Sequence, residues 1–287
     1  MNETKILAFG GGVDSTALCL IHLNRDRAAA ILGISREILD ERFPAVDAIM
    51  FSDTGAERRS TYRNIDQVEQ ASIAAGVRFI RVQRDGENIT EWLLRTGTVP
   101  LMPGGSHLCS LKFKTSVMHK QAEKIFGSDR FTWTIGIEAN EDRRAFTVRE
   151  NDRHHNAYPL RSLGLDRAAC IKLIADMGWT PVTKSSCVFC PYMKAWEIQE
   201  VLETEPEEWE TVRKIEASFQ RTSPIKHQAW IDGGRQLIKI KSKSGKIKFR
   251  APAGQWRIDS WATGARLFAA EVDGKQLSVQ EWEARLS

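Results

Sequence analysis

The sequence predicts an α/β fold in which a parallel sheet carries helices on both faces. Three observations predict it. Short apolar runs recur at 5–9, 45–53, 77–83 and 131–137. Longer segments with helical periodicity separate them, and strands that alternate with helices build parallel sheets because each crossover needs a helix. The residues just beyond those runs (10–15, 52–57 and 136–144) are rich in glycine and polar groups, and ligands of such sheets bind beyond the carboxyl ends of the strands.

The elements follow in order. "KILAF" (5–9) reads as a buried strand, and 14 to about 30 as a helix ended near Gly33. "AVDAIMFSD" (45–53) is the second strand. Residues 57–75 form a helix closed by Gly76, and "VRFIRVQ" (77–83) is the third strand. A helix near 87–95 precedes the Gly/Pro-rich loop "TGTVPLMPGG", after which Ser110 is placed to cap a helix running to Phe126. "FTWTIGI" (131–137) is the fourth strand. Beyond residue 150 the pattern turns helical, with one helix over 166–177. A second starts near Thr204, where Thr204 and Glu207 have capping-box spacing and Trp209, Val212, Ile215 and Phe219 share a face. In the tail, "QLIKIKSKSGKIKF" alternates apolar and basic residues around Ser-Gly, which predicts a hairpin; a second is expected to turn at Asp273-Gly274. The expected organisation is a nucleotide-binding domain over 1–195, then a helical and basic β-hairpin region over 196–287, the latter a small β-rich appendage.

Composition narrows the class. Apolar residues make up 42% and charged residues 27%, as in ordinary globular proteins. There is no apolar run near 18 residues, so no membrane span is expected. The N-terminal residues show neither a basic leader nor an apolar signal core, which makes the cytoplasm the expected location. The net charge of +4 is mild, but it is unevenly spread. Lys239, Lys241, Lys243, Lys246, Lys248 and Arg250 lie in one stretch without an anion, either a phosphate-backbone contact or a solvated hairpin edge. Trp256 and Trp261, nearby, suit core packing better than base stacking. Nothing in the sequence opposes an oligomer.

The strongest signal is "FGGGVDSTALCLIHL". Glycines between a strand and a helix start let backbone N–H groups approach an anion, and the helix N-terminus adds donors and a favourable dipole. The alternative is a tight strand–helix turn without a ligand. The loop lacks the terminal lysine of a P-loop and the spacing of a dinucleotide fingerprint. It resembles the Ser-Gly-Gly-x-Asp-Ser signature of PP-loop ATP pyrophosphatases, with Gly10 in place of the first serine. Further segments are similar, in order, to the phosphoadenosine phosphosulfate (PAPS) reductase branch of that superfamily: "FSDTGAE", "CSLKFKTSVM", "GIEANEDRRA" (with Glu138 where arginine is usual), "YPLRSLGLDRAACIKLIADMGW" and "CVFCP". The likeness covers about 5–195.

The resemblance implies an adenine nucleotide alpha hydrolase-like, Rossmann-like sheet that cleaves ATP to AMP and pyrophosphate. It implies that Gly10, Gly11, Gly12, Val13, Asp14, Ser15 and Thr16 hold the phosphates, with Asp53, Thr54 and Gly136 completing the nucleotide site. Asp14 then either binds Mg²⁺ on the pyrophosphate or merely caps the helix. Lys112, Arg143 and Arg144 are candidates to hold phosphate or the leaving pyrophosphate.

Five cysteines in a reducing compartment are read as packing, metal-binding or reactive groups. Cys187 and Cys190 have ligand spacing, and Cys109 precedes an expected helix start beside Lys112 and Lys114, an environment that lowers a thiol pKa. Cys19 and Cys170 sit on apolar helix faces and read as core. In the resembling branch, cysteines at the places of Cys109, Cys187 and Cys190 bind a [4Fe–4S] cluster, usually with a second cysteine where Leu108 stands here; the fourth iron is then open or held by His107. The competing readings are a zinc site with His107, His154 or His155, and redox-active thiols. The His154-His155 pair itself reads as part of a solvated loop. No cysteine follows Cys190, which argues against a sulfonucleotide reductase needing a C-terminal nucleophile. The expectation is an ATP-dependent sulfur transferase or related adenylating enzyme, with sulfide or a sulfur-donor protein as source and a nucleic acid as an acceptor. A non-catalytic nucleotide- or nucleic-acid-binding module is the alternative from another class.

Overall fold

A computed structural model of the chain describes residues 2–100, 109–141, 145, 152–232, 238–241, 247–250 and 266–285. These residues fall into two compact units, one of 1–84 with 112–186 and the other of 85–111 with 187–287. The units interleave in sequence, which differs from the single boundary near residue 195 expected above.

The first unit is built on five parallel strands in the order β3-β2-β1-β4-β5: β1 (Glu3–Phe9), β2 (Ala48–Asp53), β3 (Phe79–Gln83), β4 (Arg130–Ile135) and β5 (His154–Ala157). Alternation along the strands sends side chains to two cores. Leu7, Phe9, Ile49 and Phe51 meet α1 (Val13–Leu23), α4 (Arg59–Ala74) and α8 (Arg167–Asp176) on one face. Ile6, Met50, Val82, Phe131 and Trp133 meet Val117 and Ala122 of α6 (Ser116–Phe126) on the other. Helices therefore cover both faces, as expected of strands that read as continuous apolar runs. The chain crosses from one side of β1 to the other between β3 and β4, so the adjacent β1 and β4 ends form the topological switch point.

Several local expectations are corrected. The first helix breaks at Asn24, outside helical geometry, and continues as α2 (Arg25–Leu32), which Gly33 ends in the left-handed conformation. A further helix, α3 (Arg36–Arg42), starts where the Ser35 side chain accepts from the Ile38 N–H. Ser110 does not cap a helix, because a π-helical segment (Ser110–Thr115) runs directly into α6. Thr204 ends α9 (Ala195–Thr204) rather than opening a helix; its hydroxyl donates to the Glu200 carbonyl, and Pro206 begins α10 (Pro206–Asp232).

The largest correction concerns His154 and His155, which lie in β5 and not in a solvated loop. His154 pairs with Phe131 across the ladder, accepts from Trp133 Nε1 at 3.0 Å through Nδ1, and stacks on His119 with ring centroids 3.9 Å apart. With Nδ1 accepting, Nε2 carries the proton that it directs at Glu123 Oε1, 2.9 Å away. Hydrogen bonds and ring stacking between β5 and its neighbours thus hold this strand in the sheet without an apolar run. After β5 come α7 (Pro159–Ser162) and α8, whose N-cap Asp166 accepts from the Ala169 N–H.

The second unit is organised on α10. Trp209, Val212, Ile215 and Phe219 are all buried, as their helical spacing predicts. Ser218 Oγ and Thr222 Oγ1 donate to the carbonyls of Leu94 and Gly97 at the end of α5 (Ile89–Thr96), and a Cβ on Gly97 would overlap Thr222. The buried Glu216 carboxylate accepts the backbone N–H groups of Leu267 and Val279, the latter opening α11 (Val279–Glu283). The two expected hairpins are present. In β6 (Ile238–Lys241) and β7 (Ile247–Arg250), Ile238 is opposite Arg250 and Lys239 opposite Phe249. β8 (Glu271–Val272) and β9 (Lys275–Gln276) are joined by Asp273 and Gly274, both at positive φ.

Two histidines make the fold acid-sensitive. Burial, then the nearby Arg25, lowers His22 to about 4; Asp47 opposes weakly. Among the described residues neither His22 ring nitrogen has a hydrogen-bond partner. Burial, then His154, lowers His119 to about 4, against Glu123. The unfolded chain, with histidines near 6.5, binds these protons first, so stability is full above about pH 6.5 and falls as pH drops toward 4. Urea titrations across that range are expected to show the loss, at most about 3 kcal/mol per histidine and less where solvent screens the ring. His119→Gln is expected to reduce the pH slope, and an unchanged slope would refute the assignment.

Candidate functional site

The glycine turn occupies the switch point. β1 ends at Phe9, and Gly12, in extended conformation, is the N-cap of α1. The turn is held from inside by Gly10 N donating to Ser15 Oγ at 3.2 Å and by the Ser15 and Thr16 hydroxyls donating to the Gly12 carbonyl at 3.1 and 2.9 Å. From α4, Asn64 Nδ2 donates to the Gly11 carbonyl at 3.0 Å and to Thr16 Oγ1 at 2.8 Å, and Trp179 Nε1 donates to Asn64 Oδ1 at 3.3 Å. Gly11 has φ +74°, and a Cβ there would stand 2.8 Å from Thr61 Cγ2. Both conformation and space demand glycine.

Gly136, just past β4, carries the sharpest constraint. A Cβ on it would lie 2.7 Å from Ser15 N and 3.0 Å from the Asp14 carbonyl carbon. The neighbour is backbone, which cannot step aside. The end of β4 therefore lies directly against the first turn of α1, whose N–H groups have no intrahelical acceptors. On the opposite side Gly12 faces Ser185, whose Oγ would be 3.1 Å from a Cβ at that position, and the Ser186 carbonyl accepts from Arg58 N at 3.0 Å. Thr61 Oγ1 and Ser186 Oγ are buried and have no partner among the described residues.

Asp14 lies in the first turn of α1, and Gly12 rather than Asp14 is the N-cap, so the capping role is excluded. Its carboxylate is buried, and Arg167 Nη2 lies 3.0 Å from Oδ2. Cys170, directly behind, is pushed up to about 12, chiefly by burial and then by Asp14. Cys19 is pushed up by burial alone. Both belong to the core, as read from the sequence.

The end of β2 forms a second polar cluster. Asp53 Oδ1 accepts from Gly55 N at 2.8 Å and from the Tyr62 hydroxyl at 2.7 Å; burial and that carboxylate push the phenol's pKa up. Thr54 Oγ1 donates to Glu57 Oε1 at 3.3 Å, and Lys114 Nζ is 2.8 Å from the same oxygen. Ser52 Oγ donates to the Phe113 carbonyl at 2.8 Å. The π-helical segment is thus tied to the β2 end, a kind of helix distortion that recurs at functional sites. Lys114 makes the ion pair there, while Lys112 Nζ lies 5.9 Å from the Phe113 ring centroid. Arg143 and Arg144 lie outside the described residues.

Cys109, Cys187 and Cys190 belong to the second unit, and none of the five cysteines forms a disulfide. Cys190 N donates to the Cys187 carbonyl and Met193 N to that of Cys190, so two tight turns follow each other around buried Val188 and Phe189. The Tyr192 phenol is raised by burial and then by Cys190 and Cys109, which places both thiols within electrostatic reach of it. Among the described residues no three His, Cys, Asp or Glu side chains form a metal-holding group. His107 lies outside those residues. The described residues do not close a ligand set for a [4Fe–4S] cluster or zinc.

The chain matches no model of a known family, and no curated protein matches it. The site therefore stands on its own geometry. No helix among the described residues is long and apolar enough to cross a membrane.

Sequence reasoning missed Asn64, Trp179, Arg167, Glu57 and Ser185, and gave Lys114 only as a neighbour of Cys109. Each meets the site through a partner distant in the chain, except Glu57, whose spacing from Thr54 was a readable sign. Asn64 is the most consequential for the turn itself. Asn64→Ala leaves a buried carbonyl without its donor and is expected to destabilise the protein by about 1–3 kcal/mol. Chemical denaturation of the variant tests this, and wild-type stability would remove Asn64 as the clamp.

Proposed function

We propose that this chain binds ATP on the turn formed by Gly10–Thr16 and uses it to adenylate an acceptor, in the manner of PP-loop ATP pyrophosphatases. One observation carries the reading. At the switch point the close backbone approach of Gly136 to Ser15 N fixes the glycine turn and the first turn of α1, whose N–H groups lack intrahelical acceptors and are held in place to meet a phosphate. Thr61 and Ser186 add buried hydroxyls beside the same turn, and Asp53 and Thr54 stand where the β2 end would meet the nucleoside.

In the proposed reaction an acceptor oxygen attacks the α-phosphorus. The bond from that phosphorus to the bridging oxygen breaks, and pyrophosphate leaves with the electron pair. AMP on the acceptor is then a good leaving group for a sulfur nucleophile, which makes sulfur transfer the favoured outcome; Cys109, Cys187 and Cys190 are the candidate sulfur carriers. Mg²⁺ accompanies the polyphosphate. Positioning and charge neutralisation do the catalytic work. The basic stretch from Lys239 to Arg250 suits a nucleic-acid acceptor.

Calorimetric titration with Mg·ATP is expected to show saturable binding, and pyrophosphate release is expected to require an added nucleic acid, with sulfide needed only for AMP release and repeated turnover. Gly136→Val should weaken ATP binding by about 100-fold or more, the scale of removing a preorganised oxyanion donor. Retained affinity in a folded Gly136→Val protein would defeat the proposal.

A further inference from the structure

The turn holds an electrostatic contradiction. It offers backbone donors to an anion, yet its own Asp14 carboxylate is buried in the first turn of α1, and no lysine ends the loop. Glu138, also buried, follows Gly136 at the other side of the switch point. Asp14, Arg167, Glu138 and Asp166 all act on the Cys170 thiol, and of these Asp14 and Arg167 are joined as an ion pair at 3.0 Å. A polyphosphate brought to the turn would meet the Asp14 carboxylate in its first helical turn.

Arg167 is placed to answer this. Its backbone is fixed at the start of α8 by the Asp166 cap, and one guanidinium nitrogen, Nη2, lies 3.0 Å from Asp14 Oδ2. Asp14 is its one ion-pair partner among the described residues. The Arg167 side chain remains 46% exposed, so its other N–H donors are not buried with that pair. A guanidinium has five donors in a rigid fork and can bind a carboxylate with one edge and a phosphate with another.

We infer that Arg167 is the phosphate-binding cation of this site, held in position by Asp14. The inference rests on the ATP reading above and specifies it. Asp14 is then an anchor for Arg167, and the guanidinium meets the β- and γ-phosphates while the backbone donors of α1 hold the rest. The nucleotide preferred is the one with the longest phosphate chain.

Titrating AMP, ADP and ATP into the full-length wild type and into Arg167→Gln and Arg167→Lys tests this. The readout is the ratio of the AMP to the ATP dissociation constant, which partial unfolding does not change because both titrations see the same folded fraction. Arg167→Gln is expected to lower that ratio about tenfold or more by weakening ATP, with AMP affinity within about twofold of wild type. Arg167→Lys should keep most of the preference, and the salt dependence of ATP binding should become shallower in the glutamine variant alone. An unchanged ratio in Arg167→Gln, or equal weakening of AMP and ATP, would overturn the inference while leaving ATP binding intact. A wild type that binds none of the three nucleotides would overturn the ATP reading and this inference with it.

Discussion

The first unit depends on how closely the end of β4 approaches the first turn of α1. That approach is possible only because residue 136 has no side chain, since a single Cβ would stand 2.7 Å from a backbone nitrogen. The strand order makes the approach unavoidable. β1 and β4 are neighbours in register from Glu3 with Arg130 to Ala8 with Ile135, so their ends arrive together. The turn leaving β1 must then fit between Gly136 on one side and Thr61 and Asn64 of α4 on the other. Its backbone conformation is fixed by these neighbours, and under the ATP reading a turn held in this way would lose little entropy on binding.

Charge follows from that geometry. A buried carboxylate beside unsatisfied N–H groups is favoured by the helix dipole, which suits Asp14 in the first turn. The same position sets it against an incoming anion. Arg167 resolves the conflict as an ion pair that is buried on one side and exposed on the other. The Glu57–Lys114 pair is of another kind. Its carboxylate side chain is fully buried, and the pair joins the β2 end to the π-helical segment. Buried pairs of this sort add little net stability, because desolvation offsets attraction, but losing one partner strands the other. Their value is in fixing position.

Four of the five sheet strands were legible as apolar runs; β1, β2 and β4 are largely buried, while the edge strand β3 keeps its apolar Phe79, Ile80 and Val82 against the core and exposes Arg81 and Gln83. β5 was not. Its four residues, His154 to Ala157, are half-buried, and hydrogen bonds and ring stacking with Trp133, His119 and Glu123 hold it where hydropathy shows nothing. The break at Asn24 was equally hidden, since Arg25 continues a good helical pattern and only its long-range contacts to Asp40 and the Phe43 carbonyl explain the new start. In the site, the glycine run stood out because glycine is costly at a helix start, and Gly11 at φ +74° requires it. Asn64 and Arg167 did not. Each is an ordinary helical residue until the fold sets it against a turn that lies 53 residues away for Asn64 and far along the chain for Arg167.

A nucleotide cradle and a ligand-free tight turn share the same glycines, so they are separated by what surrounds them. A ligand-free turn satisfies its own polar groups and tolerates any small neighbour. This turn satisfies its hydroxyls at Ser15 and Thr16 internally, yet it sits against Thr61 and next to the 185–186 stretch, where two further hydroxyls are buried without partners among the described residues. Each such orphan costs about 1–3 kcal/mol. A fold under no other demand would replace Thr61 by valine and Ser186 by alanine at little loss of packing. Under the ATP reading, a polyphosphate held on this turn would offer the Thr61 hydroxyl, which borders Gly11, the acceptor that packing alone does not supply.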